Sequence, residues 1–493
     1  MKIGIRSDAS VKSGAGHVMR CLALAQALRE NKHEVFFVSA EINDKIRKLV
    51  SGSGFEVIGL DAVPGSAEDL SMALGKLQKM DVGWVVLDGY HFDINYQRGI
   101  KNAGLKLLFI DDYGQNEHYY ADLVLNQNIY ADKSYYPSRE PEVRLLLGTD
   151  FALLRQEFKP YLDWQRSIPE IAKNVLITLG GSDPENVTME IIELFEKLEI
   201  SGLKLKVTAG GSNPNVDLLR KKLEESKLDG ELLINATNMP ELMAEADIAF
   251  TAGGSTCWEL MFMKLPALIT VLADNQRPVA ETLKKKGVIG GVIDKSELNE
   301  VSTIEFVRKF IKDKELRQEI SGKAGQTVDG YGSQRVLKEM ECPGLRPVQE
   351  SDCDFVLELS NQPEVRKVSF SPEPISREEH CAWFDRMLKN GDAFFYIVEE
   401  QGNKQPAGQI RFKIENKEAV ISMSLSRSIR GKGYAGMLIE KASSRMLAES
   451  SAELIHAYIQ HDNEASIRCF SKAGYEELKD TEDRLHFILR RNR

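Results

Sequence analysis

Along the first 300 or so residues, short apolar runs end near Gly, Asp or Asn, and segments with apolar positions at helical spacing follow them. This alternation predicts βα units. The expected strands fall at residues 2–5, 34–38, 84–87, 105–110 and 123–125, then at 174–178, 203–208, 232–234, 248–251 and 266–271. Most are apolar throughout, as parallel strands buried on both faces are. A polar stretch carrying Pro160 and Pro169 separates the two groups of five. The pattern therefore predicts an α/β protein with two doubly wound, Rossmann-like lobes, at 1–157 and 158–340, facing each other across a cleft.

Beyond a polar helical stretch at 301–340 the pattern changes. Cys342-Pro343-Gly344 cannot continue a helix and marks a linker at 341–346. A third unit, 347–493, opens with apolar runs at 393–398, 408–412 and 419–425 that read as an antiparallel meander. No repeat or low-complexity tract interrupts the chain.

The length of 493 residues agrees with about three such units. Lys and Arg number 64 against 74 Asp and Glu, a formal charge of -10, which disfavours nucleic-acid binding through a generally basic surface. A local anion site is still allowed. No apolar run reaches the 18 or so residues of a membrane span, and the first residues read as a strand, so the expected compartment is the cytoplasm. The six cysteines lack paired spacing and read as small buried hydrophobes. Cys21 and Cys257 lie near Gly-rich loops, where a nucleophilic role is conceivable. Asp352-Cys353-Asp354 sits at a helix start, where capping accounts for it, and no metal site is expected.

The first expected strand feeds a loop containing Arg6, Asp8, Gly14 and Gly16, and a helix opens at His17. The two glycines let backbone approach a ligand closely, and the N–H groups of the helix start favour an anion. The same dipole disfavours a protonated imidazole, so His17 is suited to act as a general base. A capping or space-filling His17 is the plainer reading. The loop is not a dinucleotide fingerprint, because Met19 stands where that pattern needs glycine.

The whole string R-S-D-A-S-V-K-S-G-A-G-H-V-M-R-C-L-A-L-A resembles the opening of the PseG-type UDP-sugar hydrolases of pseudaminic acid biosynthesis, relatives of the MurG-type glycosyltransferases. The resemblance implies a GT-B fold of two lobes and gives His17 the role of base. Leu87-Asp88-Gly89-Tyr90 and the segment Gly148 to Arg155 are similar to further family pieces, with Tyr90 near the reacting sugar and Arg155 just before the second lobe. Asp88 and Asp112 could equally cap or form turns at strand ends. Gly180-Gly181-Ser182 and Gly253-Gly254-Ser255-Thr256 both follow expected strands. By the same resemblance the second of these loops receives the diphosphate, Glu259 takes the ribose hydroxyls, and Asn275-Gln276 lie at the sugar end. A carboxylate suits a diol, and amides suit acetamido and hydroxyl groups. With water in place of a sugar acceptor, the resemblance implies an inverting hydrolysis of UDP-2,4-diacetamido-2,4,6-trideoxy-β-L-altropyranose, with no metal expected.

In the third unit, the strand ending at Leu425 leads to Arg430-Gly431-Lys432-Gly433-Tyr434-Ala435-Gly436 at a helix start. This string resembles the acyl-CoA loop of the α+β GNAT acetyltransferases, and Asn463 to Tyr475 is similar to their following stretch. The resemblance implies acetyl-CoA as cosubstrate, its pyrophosphate on the loop and Asn463 on the pantetheine arm. Phe470 departs from the family, since many members carry there the tyrosine that protonates the thiolate; Tyr475, Tyr458 or water remain for that role. His380, Glu378 and Glu379 are possible bases, or a solvated helix face. A GNAT unit beside a PseG-type unit is similar to the pairing of PseH-type acetylation with PseG-type hydrolysis, consecutive steps on a UDP-linked 4-amino sugar. The alternatives are a UDP-sugar glycosyltransferase fused to a GNAT acetyltransferase of other amine specificity, and a nucleotide-sugar sensor.

Overall fold

The computed structural model describes residues 1–9, 14–180, 183–210, 213–389, 393–401, 403–481 and 484–491. The chain forms two compact units, Met1–Leu337 and Lys338–Arg493. Within the first unit, strands β1 (Lys2–Ser7), β2 (Glu34–Ser39), β3 (Glu56–Gly59), β4 (Trp84–Asp88), β5 (Lys106–Ile110), β6 (Leu123–Asn126) and β7 (Arg144–Leu147) form a parallel sheet ordered β3-β2-β1-β4-β5-β6-β7. A second parallel sheet, β10-β9-β8-β11-β12-β13, is built from β8 (Asn174–Thr178), β9 (Lys204–Ala209), β10 (Asp229–Ile234), β11 (Ile248–Ala252), β12 (Ala267–Val271) and β13 (Gly291–Asp294). These are the two doubly wound lobes expected from the alternation. Apolar runs without a polar face, such as Val85-Val86-Leu87 and Leu107-Leu108-Phe109, lie fully buried because helices cover both faces of the sheet. In each sheet the strand order reverses beside the first strand, and that reversal opens a crevice at the carboxyl ends of the strands. The lobes share a core in which Ile129, Leu154 and Phe158 pack with Trp258, Met261 and Phe262.

The 301–340 stretch holds three helices, Val301–Lys312, Lys314–Thr327 and Gly332–Met340. Residues 344–347, expected to belong mostly to the linker, instead form strand β14 (Gly344–Pro347), which pairs antiparallel with β15 (Ala393–Glu399). Pro347 is tolerated there because β14 is an edge strand. The sheet continues through β16 (Pro406–Glu415), β17 (Glu418–Leu425), β18 (Leu454–Ile459), β19 (Glu476–Thr481) and β20 (Arg484–Arg490), in the order β14-β15-β16-β17-β18-β20-β19. All its neighbours are antiparallel except β17 and β18, whose parallel pairing covers only Glu418, Ala419 and Val420 against Leu454, Ile455 and His456. One face packs on helices Ala435–Glu449 and Glu464–Lys472; the other meets helices Cys353–Ser360 and Arg377–Lys389 around Val356, Phe384, Phe395 and Ile397. No helix among the described residues is long and apolar enough to cross a membrane.

Candidate functional site

His17 occupies the first turn of helix Gly16–Glu30, directly after β1 and its loop. Gly14 has φ of +72°, the left-handed conformation that glycine adopts without strain, and a Cβ on Gly14 or Gly16 would meet nothing within 4 Å among the described residues. The backbone there faces open space, while Ser10–Ser13 lie outside the described residues.

The surroundings of His17 are charged and buried. One helical turn on, Arg20 makes a bidentate pair with Asp88 at the end of β4, both bonds 2.7 Å, and a third 2.7 Å bond to Asp112 beyond β5. The Asp88 carboxylate lies 3.9 Å from Nδ1 of His17. Burial lowers the pKa of His17, and Asp88 only partly offsets it. The imidazole is therefore neutral near pH 7. Tyr90 sets its ring edge-on to His17, with centroids 4.7 Å apart, and donates its hydroxyl to Asp112 at 2.8 Å. Burial alone would raise Asp112; Arg20, with Tyr90 and Asn128, brings it down to about 2. Asp112 is thus an anion at the site, and Asp88 and Asp112 both pair with Arg20, a more definite role than the capping or turn formation their positions also allowed. Cys21 points at Asp88, and burial followed by that carboxylate pushes its thiol well up. Burial likewise takes Cys257 up to about 12, so neither thiol is an activated nucleophile.

Arg6 and Asp8, expected at the substrate, are buried at the end of β1 instead. Arg6 is 1% exposed and pairs with Asp69 through two hydrogen bonds and with Asp8 at 2.7 Å. Asp8 also accepts the backbone N–H groups of Ala40 and Glu41 and contacts Nε2 of His91 at 2.9 Å. A buried arginine needs such partners, so these groups brace β1 against the next strands. Asp69 and His91 carried no local motif. Arg20 had a readable sign, since i+3 on a helix shares the face of His17.

In the second lobe, Gly254 is open around its absent Cβ, whereas a Cβ on Gly253 would strike Gln276 at 2.9 Å. The side-chain oxygen of Gln276 accepts from the N–H groups of Gly253 and Leu272 and pins this loop to the turn that holds Asn275. Gln276 is thereby a brace, with only its amide nitrogen left for a ligand. Ser255 and Thr256 stand at the start of helix Thr256–Phe262, and Ser255 makes no side-chain cap. Glu259 lies 3.5 Å from Arg155, so the segment that joins the two lobes meets the expected ribose ligand. Burial raises Glu259, and Arg155 opposes the shift. Gly181 and Ser182 lie outside the described residues, as does the side chain of Asn275.

In the third unit, Gly431 and Gly433 have φ of +75° and +77° ahead of helix Ala435–Glu449, and Tyr434 stands at its N-cap. Lys432 and Gly436 flank the same turn. Arg430 is turned back: its Nε donates to the carbonyl of Leu425 and another nitrogen to Gln362. Asn463 uses its side-chain oxygen to cap helix Glu464–Lys472, leaving its amide nitrogen for a pantetheine carbonyl. The glycines and the free backbone of this turn fit a pyrophosphate. Tyr475 is 4% exposed and bonded to Ser443, and Phe470 packs on it, so Tyr475 is a core residue. Tyr458 lies on the opposite face, stacked on His486. His380 is not part of a solvated face: it is buried and pairs Nε2 with the carbonyl of Cys353.

Comparisons with known proteins divide the chain in the same way. The model of the glycosyltransferase family 28 C-terminal domain matches residues 175–330, and that of the acetyltransferase (GNAT) domain matches 344–476. The UDP-2,4-diacetamido-2,4,6-trideoxy-β-L-altropyranose hydrolase of Campylobacter jejuni is 29% identical over 297 residues, 58% of this chain and 97% of that one. The spore coat polysaccharide biosynthesis protein SpsG of Bacillus subtilis is 22% identical over 68% of this chain and 96% of its own length. An uncharacterized protein of Methanocaldococcus jannaschii, MJ1062, is 24% identical over 490 residues, 97% of each chain. Over 58% of its length the chain is a homologue of the hydrolase, and a GNAT domain follows.

Proposed function

We propose that the chain is a bifunctional enzyme of pseudaminic acid biosynthesis. Its N-terminal unit hydrolyses UDP-2,4-diacetamido-2,4,6-trideoxy-β-L-altropyranose to UDP and the free sugar, and its GNAT unit acetylates the preceding UDP-linked 4-amino sugar with acetyl-CoA. The observation that carries the hydrolase reading is a neutral, nine-tenths buried His17 beside Asp88 and Tyr90, at a loop whose glycine backbone faces open space.

UDP is a good leaving group, so the protein's task is to hold the diphosphate, place water at the anomeric carbon and take its proton. His17 takes that proton while Asp88 and Arg20 fix the imidazole's surroundings; Tyr90 borders the sugar. Attack by water inverts the anomeric centre. In the second lobe Gly253, Gly254, Ser255 and Thr256 would receive the diphosphate and Glu259 the ribose, releasing Arg155 as they do so. This part rests on similarity to the hydrolase. In the GNAT unit the turn Arg430–Gly436 would hold the cosubstrate's pyrophosphate on backbone N–H groups, and Asn463 would donate to its pantetheine arm. The acceptor amine must shed a proton before it attacks the thioester.

The test supplies the diacetamido UDP-sugar in ¹⁸O-labelled water without any sugar acceptor. Release of UDP with the label at the anomeric carbon supports hydrolysis, and a requirement for an acceptor supports the glycosyltransferase alternative. His17→Ala should cut the rate by roughly 100- to 10,000-fold with UDP binding retained; wild-type turnover in that variant removes His17 from the mechanism.

A further inference from the structure

On the sheet face away from helix Ala435–Glu449, the third unit carries a cation with no counter-charge among the described residues. Along β16, Ile410 and Phe412 enter the core, so Gln409 and Arg411 project to the other face. The Arg411 guanidinium lies over the Trp383 ring, 4.6 Å from its centroid. Among the described residues no carboxylate pairs with it. The charged neighbour that acts on it is Arg366, which among the described residues donates to the carbonyls of Ser360, Ser371 and Glu373. Burial, and then Arg366, push Arg411 down to about 10, so the bare charge is held at a cost. Gln409, 5% exposed, donates to Ser360 while its Oε1 has no hydrogen-bond partner. A half-buried guanidinium and a buried orphan acceptor, two residues apart on one face of the strand, offer a donor and an acceptor to one ligand.

Their position says which ligand. Gln409 and Arg411 pair across β17 with Ser424 and Ser422, just past Val420, where β17 and β18 stop pairing. The neighbouring helix Pro363–Lys367 leads from Gln362, a partner of Arg430 in the glycine turn, to Arg366. The cation therefore lies beside the gap in the sheet, next to the loop that fits acetyl-CoA. We propose that Arg411, over Trp383, binds the phosphate of a phosphate- or diphosphate-linked acetyl acceptor, and that Gln409 Oε1 accepts an N–H of the same molecule. The two side chains are about 7 Å apart along the strand, which places a sugar ring between its anomeric phosphate and its amine. This deepens the proposed acetyl transfer and rests on it.

The test measures thiol release by the full chain with two acceptors, the UDP-linked 4-amino sugar and the same amino sugar without UDP. The wild type should favour the first, and Arg411→Met should lower that preference by about 10- to 100-fold, the worth of a charge-assisted hydrogen bond. Arg411→Lys should restore part of it. Circular dichroism reports whether each variant is folded. An unchanged preference in a folded Arg411→Met overturns the site and leaves acetyl transfer standing. So does a raised KM for acetyl-CoA alone, which would assign Arg411 to the cosubstrate's phosphates. If neither acceptor is acetylated, the acetyl-transfer reading fails, and inorganic diphosphate then tests the site by itself through tryptophan fluorescence. A quenching component present in the wild type and lost in Arg411→Met supports the site; superimposable titrations overturn it.

Discussion

The glycine turns before His17 and before Ala435 look alike in sequence, yet they are built for different work. Around His17 the working groups are side chains, held by a buried frame in which Arg20 joins Asp88 and Asp112 across three elements. Around Gly431 and Gly433, Arg430 turns to its own strand and Asn463 to a helix cap, the Lys338 amine lies against Gly433, and the backbone at Gly431 is left open among the described residues. A hydrolase must supply its own base, whereas an acyltransferase receives an activated group on its cosubstrate and needs chiefly a shaped seat. The same local motif therefore depends on distant residues in one unit and on φ angles in the other.

Breaking each frame separates the two. Arg20→Met leaves the buried Asp88 and the half-buried Asp112 without their cation, and should cost about 3–5 kcal/mol of stability in urea denaturation. UDP release should fall with it while thiol release from acetyl-CoA persists; loss of both activities together would deny the units their independence. Gly433→Ala is smaller. A side chain at φ of +77° costs about 1–2 kcal/mol, and a Cβ there would also displace the Lys338 amine. The KM for acetyl-CoA should rise about tenfold with UDP release unchanged, and an unaltered KM would show that the turn does not set the seat.

The smallest effect is in pH. The base works when neutral, and His17 is lowered by burial, so kcat/KM for UDP release should hold level through neutrality and decline only below the ordinary imidazole value of about 6.5. Asp88 favours the charged imidazole, so Asp88→Asn should move that acid limb to lower pH; movement upward would mean that another group titrates.

The interior strands were legible because burial on both faces leaves runs such as Trp84 to Leu87. The edge strands β3, β7 and β13 were not, since one side of each meets solvent and runs such as Glu56-Val57-Ile58-Gly59 are short and half exposed. In the third unit β18 alternates Ile455, Ala457 and Ile459 with His456 and Tyr458, a pattern easily passed over between two stronger motifs. His17 and the glycine turns could be read locally. Asp69 and His91 could not, because they reach Arg6 and Asp8 from 63 and 83 residues away. Nor could the inward turn of Arg6, Asp8 and Gln276, whose partners only the fold supplies.

The frame around His17 also has an arithmetic of charge. With the imidazole neutral, one arginine and two carboxylates leave the enclosed cluster a net negative charge. In the proposed reaction His17 takes a proton from water, and the cluster becomes electroneutral. Water's proton thus enters a place already one positive charge short, and the imidazolium finds its counter-ion waiting, with no ion drawn in from solvent.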